Sequence, residues 1–189
     1  MIRFKTIVGS VILFVCICSL NGCTRNDNTQ LVKDYYNQLN QSNYSELSEF
    51  IGDSITISEG DYNMNYSTND YYQFFQWDSV FNPKYEILAI KEIDNKVEIS
   101  ISKTCTRIEF LNQKPLISTE IIEIKNQKIS KIKNIEMDSD FKLWNIKRGQ
   151  MVTWIKKNHP ELDGFIYDQT KIGAQNYLKA ITLYKKSNN

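Results

Sequence analysis

The acidic residues that could do chemistry lie in the stretch SEGDYN, directly after a β-branched segment that predicts a strand. Glu59 and Asp61 supply its two carboxylates. A carboxylate acts as a general base when burial raises its pKa towards the working pH. An acid in such a polar, glycine-containing stretch is more often a solvated turn residue. Both roles stay open, and the solvated turn is the preferred interpretation.

Other catalytic and metal-binding patterns are missing from the sequence. The single histidine, His159, lies near the C-terminus in KNHPELDG. No Cys/His spacing or HExxH sequence indicates zinc, and isolated glycines do not make a phosphate-binding loop. Cys105 lies in a strand-like run and is predicted to be a small core residue rather than a nucleophile. The sequence therefore predicts no metal, cofactor or nucleotide.

The N-terminus has the order of residues found in a secretory signal. Arg3 and Lys5 precede an apolar run of fourteen residues, Ile7 to Leu20, and such an order is typical of a cleaved signal. A helix needs about 20 residues to span a bilayer. The run therefore favours a signal segment over a permanent transmembrane anchor.

The segment Leu20-Asn21-Gly22-Cys23 resembles a bacterial lipobox, with Asn21 in place of the usual small or β-branched residue. The resemblance implies that residues 1–22 are removed and that Cys23 carries lipid. Several acyl chains hold a protein at a membrane stably, whereas one chain binds reversibly. In enterobacterial lipoproteins, an aspartate directly after the lipid-bearing cysteine resembles an inner-membrane retention signal. This chain has Thr24 at that position, which favours the outer membrane. The alternative is an ordinary secretory signal with an incidental Cys23.

The charge balance limits the kinds of partner. Removal of Arg3 and Lys5 with the signal leaves 21 basic and 22 acidic residues, and this near neutrality argues against nucleic acid. Residues 139–189 alone carry nine Lys or Arg against four acids. That excess could face anionic headgroups, but a solvated helical face is the preferred interpretation.

The first third of the folded part is predicted to be mainly helical. Apolar residues recur at helical spacing from Leu31, with capping residues at Asp27 to Thr29, and predict a helix that ends near Gln41. A second short helix is expected over Asn43 to Phe50, followed by a strand over Ser54 to Ser58. The stretch TNDYYQFFQWDSVF predicts a third helix, which Pro83 stops.

From Lys84 to Met137 the pattern changes to strands separated by compact polar pairs. Asp94-Asn95 and Asn126-Gln127 suit tight hairpin turns, because Asn and Asp tolerate left-handed backbone. Asn112-Gln113 with Lys114-Pro115 is expected to form a third turn. The four predicted strands of this antiparallel meander are YEILAIKEI, VEISISKTCTRIEF, LISTEIIEI and KISKIKNIEM.

This order of elements predicts an α+β domain, in which helices cover one face of a curved sheet. The segment VKDYYNQLNQSNYSELSEFIGDSITISEGD, the later NDYYQFF and the hairpin meander resemble the nuclear transport factor 2-like and SnoaL-like superfamily. The resemblance covers about two thirds of the chain after Cys23. It implies a cone, with N-terminal helices packed on a strongly bent antiparallel sheet and a pocket at the mouth.

Relatives in that superfamily use the pocket for isomerisation, for binding of small ligands or for docking of partners. Here Tyr36, Glu59, Asp61 and Trp77 are expected nearest the mouth. The Asp–His pair of some catalytic branches is missing. The resemblance therefore leaves two functions open, a binding module and an isomerase, cyclase or hydrolase that uses Glu59 or Asp61 as general base.

Two further helices are predicted after Met137, one that ends at NHPELDG and one from about Thr170 to Lys186. Their aromatic residues Trp144, Trp154 and Tyr184 are candidate anchors for a partner or a second copy of the chain. Alternatively, they fold this extension across the sheet.

The predicted organisation is a signal (residues 1–22), a tether (23–29), the cone domain (30–138) and a helical extension (139–189). The predicted function is that of a non-catalytic envelope lipoprotein, held at the membrane by its lipid. It would bind a small apolar ligand or an envelope protein, and nucleic acid is excluded as a partner.

Overall fold

The computed structural model describes residues 27–138 and 140–187. The predicted signal and the lipobox with Cys23 lie outside the described residues. Asp27 begins the described chain and caps the first helix, because its side chain accepts hydrogen bonds from the backbone N–H groups of Thr29 and Gln30. Asn28 and Thr29, predicted to be part of the tether, form the first turn of that helix.

Three helical segments precede the meander. Helix α1 spans Asn28–Gln41, and the left-handed Ser42 ends it, as predicted near Gln41. Helix α2 spans Tyr44–Leu47 and continues into a 3-10 turn over Ser48–Phe50. Helix α3 spans Thr68–Ser79, so the predicted third helix is two residues shorter than the apolar pattern that reached Phe81.

Six strands form one sheet in the order β2-β1-β6-β5-β4-β3. Neighbouring strands are antiparallel except at β1–β6, which is a parallel pair. The register shifts in three of the five pairs, and such irregularities bend the strands that carry them. The strands are β1 (Ile51–Glu59), β2 (Tyr62–Ser67), β3 (Lys84–Ile93), β4 (Lys96–Thr104), β5 (Leu116–Lys125) and β6 (Lys128–Asp138).

Two of the three expected hairpin turns are confirmed. Asp94 and Asn95 have φ of 50° and 60°, and Asn126 and Gln127 have 51° and 60°. Positive φ at both central residues is the conformation of a type I′ hairpin turn, which matches the twist of the flanking strands. The turns hold β3 to β4 and β5 to β6 in the predicted antiparallel order.

The predicted continuous strand through VEISISKTCTRIEF is wrong in its second half. Strand β4 ends at Thr104, and helix α4 spans Thr106–Leu111. The Cys105 sulfur accepts a hydrogen bond from the Ile108 N–H at the start of this helix, and the Thr106 N–H donates to the Phe81 carbonyl. Tertiary packing therefore overrides the local β propensity.

The first hydrophobic core lies between the sheet and helices α1 and α3. Its fully buried members include Val32 of α1, Ile55 of β1 and Ile99 of β4. Burial of such aliphatic side chains contributes about 1.5–3 kcal/mol each. This packing sets α1 and α3 on the inward face of the bent sheet and so builds an α+β cone, as predicted.

A second hydrophobic core joins the cone to the C-terminal extension. Helix α5 spans Phe141–Asn158, a 3-10 turn follows over Pro160–Leu162, and helix α6 spans Lys171–Ser187. These helices enclose apolar residues of the α3–β3 connection and of α4. The fully buried side chains of this core include Phe81, Ile108, Leu111, Met151, Ile155 and Ile181.

Over the described ranges 27–138 and 140–187, no helix is long and apolar enough to cross a membrane.

Candidate functional site

A cavity of about 230 Å³ lies between α1, α3 and the inward face of the sheet. The share of liquid volume per water molecule is about 30 Å³, so the cavity has room for a small molecule rather than an extended one. Most of its wall is aromatic or aliphatic. The apolar and aromatic lining residues are Tyr35, Tyr36, Leu39, Ile57, Tyr71, Phe74, Phe75, Pro83, Tyr85, Ile101, Leu116, Ile132 and Met137.

Glu120 is the most unusual residue of this cavity. Alternation along β5 turns Leu116, Ser118 and Glu120 to the same inward face, and all three line the cavity. The Tyr36 hydroxyl donates to Glu120 Oε2 at 2.5 Å, and the Ser118 hydroxyl donates to Oε1 at 3.3 Å. Burial raises the pKa of the Glu120 carboxyl, although these two hydrogen bonds oppose the shift.

No Lys, Arg or His nitrogen lies within 4.0 Å of the Glu120 carboxylate in the described part of the chain. The direct hydrogen-bond partners of this carboxylate are therefore neutral hydroxyls, and the Lys103 ammonium acts on it only from beyond that distance. A half-buried anion of this kind favours a ligand that brings a donor or a positive charge to it.

Three tyrosines of helices α1 and α3, Tyr35, Tyr36 and Tyr71, line the same cavity. Tyr35 and Tyr36 are consecutive residues of α1, and both are buried. The Tyr35 hydroxyl contacts the Tyr71 hydroxyl of α3, in a buried hydrogen bond in which either oxygen can donate. Burial is the main cause of the raised pKa of Tyr36, and the neighbouring Glu120 charge adds to it. These phenols therefore stay protonated and act as hydrogen-bond donors.

A buried ion pair forms the opposite polar side of the cavity. Lys103 Nζ of β4 lies 2.9 Å from Asp78 Oδ2 of α3 and 3.0 Å from Oδ1. The Tyr85 hydroxyl donates to Asp78 Oδ2 at 3.0 Å, and the Lys103 ammonium lies 4.9 Å from the centre of the Tyr85 ring. Lys103 is therefore ion-paired directly with Asp78, and its more distant charge lowers the pKa of Glu120 without a direct ion pair.

The polar lining is acidic overall. Three carboxylates, Glu59, Asp78 and Glu120, line the cavity together with a single ammonium, that of Lys103. Repulsion in such a site disfavours anionic ligands and favours neutral or cationic ones.

The structure brings two of the four predicted pocket residues into the cavity. Tyr36 and Glu59 line it, and Glu59 is exposed at the end of β1. Asp61 lies in the turn between β1 and β2, is exposed and does not line the cavity. Trp77 points into the second core, where its ring contacts Phe81 at 5.1 Å between centroids.

Sequence reasoning missed the residues that make the polar walls. Lys103 and Glu120 are charged residues on the inward, mainly apolar faces of two predicted strands. A charge in the apolar half of an alternating strand is a signal for a buried polar site. Asp78 gave no such signal, because α3 is aromatic on more than one side.

The candidate interface residues are half-buried and belong to the second core. The Trp144 ring lies 5.3 Å from the Arg107 guanidinium. Trp154 and Tyr184 contact each other edge-to-face, with centroids 5.8 Å apart. Both of these residues also line a shallow surface groove between α5 and α6.

The remaining titratable candidates lie elsewhere. His159 follows α5, and its Nδ1 lies 3.4 Å from Glu161 Oε1, outside the cavity. Cys105 is buried with a free thiol. In residues 27–138 and 140–187, no group of three or more His, Cys, Asp or Glu side chains could hold a metal ion.

Known structures share the fold of this chain. A Kribbella flavida protein superposes with a TM-score of 0.52 at 7% identity, over 65% of this chain and 93% of that one. Bal32a, from a soil-derived mobile gene cassette, gives 0.51 at 14% identity, over 62% and 93%. A nuclear transport factor 2-like protein of unknown function from Cytophaga hutchinsonii gives 0.46 at 14% identity, over 57% and 87%.

No protein-family model matches the sequence, and no curated protein matches it. The likeness to solved structures therefore concerns the fold alone. The chain shares with the Kribbella flavida protein and with Bal32a an α+β fold, which here is a curved mixed sheet with helices on its inward face.

Proposed function

We propose that this chain is a lipid-anchored envelope protein whose cavity binds a small, largely apolar molecule that carries a cationic or hydrogen-bond-donating group. The observation that carries the proposal is Glu120, a half-buried carboxylate that faces the cavity and accepts hydrogen bonds from Tyr36 and Ser118. Its remaining acceptor capacity is directed to the ligand. Binding, without catalysis, is the function assigned to the cavity.

The size and shape of the ligand follow from the wall. Pockets for drug-sized ligands have volumes of about 300–1,000 Å³, whereas this cavity has about 230 Å³. A single ring with a short polar substituent suits that space. The aromatic wall contacts the ring, and Glu120 receives the substituent.

Anchoring is the second part of the proposal. The lipobox-like segment supports acylation of Cys23. The apolar run ends before this cysteine and a polar stretch begins at Thr24, which supports cleavage of the signal from the domain. We assign the protein to the outer membrane. Intact-mass analysis of the membrane fraction tests this part: Cys23 is expected to carry acyl chains, and an unmodified Cys23 would refute anchoring.

The ligand class can be tested with three probes that share one ring and differ in charge. Benzylamine, benzyl alcohol and benzoate would be titrated into the ¹⁵N-labelled chain from Thr24 to Asn189, which retains every described residue. We expect the affinity order amine, alcohol, carboxylate, with shifts in amides of α1 and β5. A charged hydrogen bond contributes about 1.5–3 kcal/mol, so Glu120→Gln should weaken benzylamine about 10- to 100-fold.

Glu136→Gln is the matched control, because Glu136 is an exposed acid on the neighbouring strand β6. It removes the same charge without touching the cavity and should leave benzylamine affinity unchanged. Equal binding of all three probes, or equal effects of the two variants, would contradict the proposal.

A second candidate function is proton transfer beside a carbonyl. The contact between Tyr36 and Glu120 favours it, because a carboxyl of raised pKa can accept a proton while a phenol stabilises the developing oxyanion. Deuterium uptake at the α-carbon of cyclohexanone tests this candidate. Catalysis requires exchange above the buffer rate that Glu120→Gln abolishes and Glu136→Gln retains, and exchange at the buffer rate leaves binding as the function.

A further inference from the structure

Helices α5 and α6 form a strongly basic pair. They carry nine Lys or Arg residues and no acid, whereas residues 27–138 carry eleven basic and eighteen acidic residues. The charges of the chain are thus segregated between the extension and the cone. The nine cations are Lys142, Lys147, Arg148, Lys156, Lys157, Lys171, Lys179, Lys185 and Lys186.

Few of these cations have a carboxylate partner. Lys156 lies 3.9 Å from Asp163 Oδ2, and none of the other eight has a carboxylate oxygen within 4.0 Å among residues 27–138 and 140–187. A salt-bridged solvated face would pair its charges along the helix. This face instead leaves its positive charge available to an external anion.

Two of the lysines converge on one ring. Lys147 Nζ and Lys185 Nζ lie 6.0 Å and 5.8 Å from the centre of the Phe110 ring. Burial and the nearby Lys185 charge lower the pKa of the Lys147 ammonium. An anion between the two ammonium groups would relieve their repulsion.

An amphipathic groove of about 640 Å³ adjoins this lysine pair, because Phe110 contacts Tyr184 and Tyr184 lines the groove. Trp154 and Lys157 lie in the same groove, and Ile146 at its wall is 48% exposed. Trp and Tyr rings are favoured at membrane–water interfaces, where one end of the ring is apolar and the other is hydrated.

We infer that this α5–α6 face docks onto an anionic phospholipid surface, with Lys147, Lys157 and Lys185 on the headgroup phosphates and Trp154 in the interfacial layer. Basic residues combined with apolar ones give such surface binding. The half-buried aromatic rings and the exposed Ile146 distinguish this surface from one made for free phosphate.

Vesicle sedimentation tests the inference without the lipid anchor. The chain from Thr24 to Asn189 has 21 basic and 22 acidic residues, so a uniform charge distribution would give no attraction to an anionic surface. We expect it to bind vesicles of phosphatidylcholine with phosphatidylglycerol and not vesicles of phosphatidylcholine alone. Binding should be lost in 0.5 M salt, since surface attraction is screened.

A pair of triple variants identifies the face. Each lysine near an anionic membrane contributes about 1 kcal/mol, so Lys147→Gln with Lys157→Gln and Lys185→Gln should weaken vesicle binding about 100-fold. The control triple variant replaces three exposed lysines of the cone by Gln, namely Lys33, Lys125 and Lys133. The control should bind as the parent chain does, and both variants should keep the parent circular dichroism spectrum.

Fluorescence quenching by brominated lipids provides a second measurement. In a double variant with Trp77→Phe and Trp144→Phe, Trp154 is the remaining tryptophan, and these lipids should quench its fluorescence. Absence of binding to the anionic vesicles, equal losses in the two triple variants, or no quenching of Trp154 would overturn the inference. Binding of a short DNA duplex as tight as that of the vesicles would also overturn it, because the face would then be a general polyanion site.

Discussion

At the residue scale, two acids of the cavity wall have different partners. Asp78 is held by the Lys103 ammonium and the Tyr85 hydroxyl. Glu120 is held by two neutral hydroxyls. The first acid belongs to a closed structural pair, and the second is the one that a ligand can address.

Removal of Lys103 should be costly for stability. Lys103→Met would leave the Asp78 carboxylate, 9% exposed, without a cation. Loss of one partner of a buried ion pair costs about 3–5 kcal/mol. Urea denaturation would measure the free energy of unfolding.

Lys96→Met provides the comparison, because Lys96 pairs with Glu123 at 2.8 Å on the exposed side of the sheet. Exposed pairs contribute about 0–1 kcal/mol. A Lys103→Met effect as small as that of Lys96→Met would show that Asp78 is not held by its ammonium.

Glu120→Gln should stabilise the chain more at neutral than at acidic pH. The folded-state pKa of Glu120 is raised above its ordinary value of 4.5, so the folded state holds this proton more tightly than the unfolded state does. The wild-type carboxyl therefore costs nothing at low pH, and its cost grows as pH rises from about 4.5 to the folded-state pKa. Glutamine keeps a hydrogen-bond acceptor for Tyr36 and carries no charge.

Urea unfolding at pH 4 and at pH 7.5 checks this expectation. The stability difference, variant minus wild type, should increase with pH. A difference that is constant with pH, or that falls, would mean that burial of the Glu120 carboxylate is not penalised.

At the element scale, the sequence pattern predicted the helices and tight turns better than the sheet edge. The pairs Asp94-Asn95 and Asn126-Gln127 are hairpin turns because their residue types tolerate positive φ. Strand β2 was missed, although Tyr62, Met64 and Tyr66 alternate with polar residues. All residues of β2 except Tyr66 are exposed. An edge strand that buries so little has no strong apolar pattern, and its sequence therefore resembles that of a turn.

Two helical glycines should respond oppositely to alanine. A Cβ at Gly173 of α6 would collide with the backbone oxygen and side chain of Asp168, and overpacking of this kind costs about 1–3 kcal/mol. A Cβ at Gly149 of α5 meets nothing within 4 Å, and Gly to Ala in a helix gains about 0.5–1 kcal/mol.

Thermal and urea unfolding of the two single variants would measure the pair. Gly173→Ala should be less stable than the parent chain and Gly149→Ala more stable. If both variants were more stable than the parent chain, the loop that holds Asp168 would be able to move away from the added methyl group without a loss of stability.

At the scale of the whole molecule, the extension contributes to the core. Phe81 and Leu111 are fully buried, and Ile108 is 1% exposed, in the cluster shared with α5 and α6. Sequence reasoning placed the helices but left open whether their aromatic residues pack inward or bind a partner. It could not decide, because α4, which receives α5 and α6, was predicted to be a strand.

We expect the cone and the extension to unfold in one transition. Ile181→Ala empties part of the shared core, and such truncations cost about 2–5 kcal/mol. A single urea transition that moves to lower concentration, by near-ultraviolet circular dichroism and by tryptophan fluorescence alike, is the expected result. Two separate transitions, with only one moved, would mean that the extension folds independently of the cone.

The most direct test of the binding function is native mass spectrometry of the chain from Thr24 to Asn189 after incubation with a small-molecule extract of the cells that make it. We expect one chain with one bound small neutral or cationic molecule, which is lost in Glu120→Gln and retained in Glu136→Gln. An empty chain, or a ligand held equally by both variants, would contradict the assignment of the cavity as a binding site.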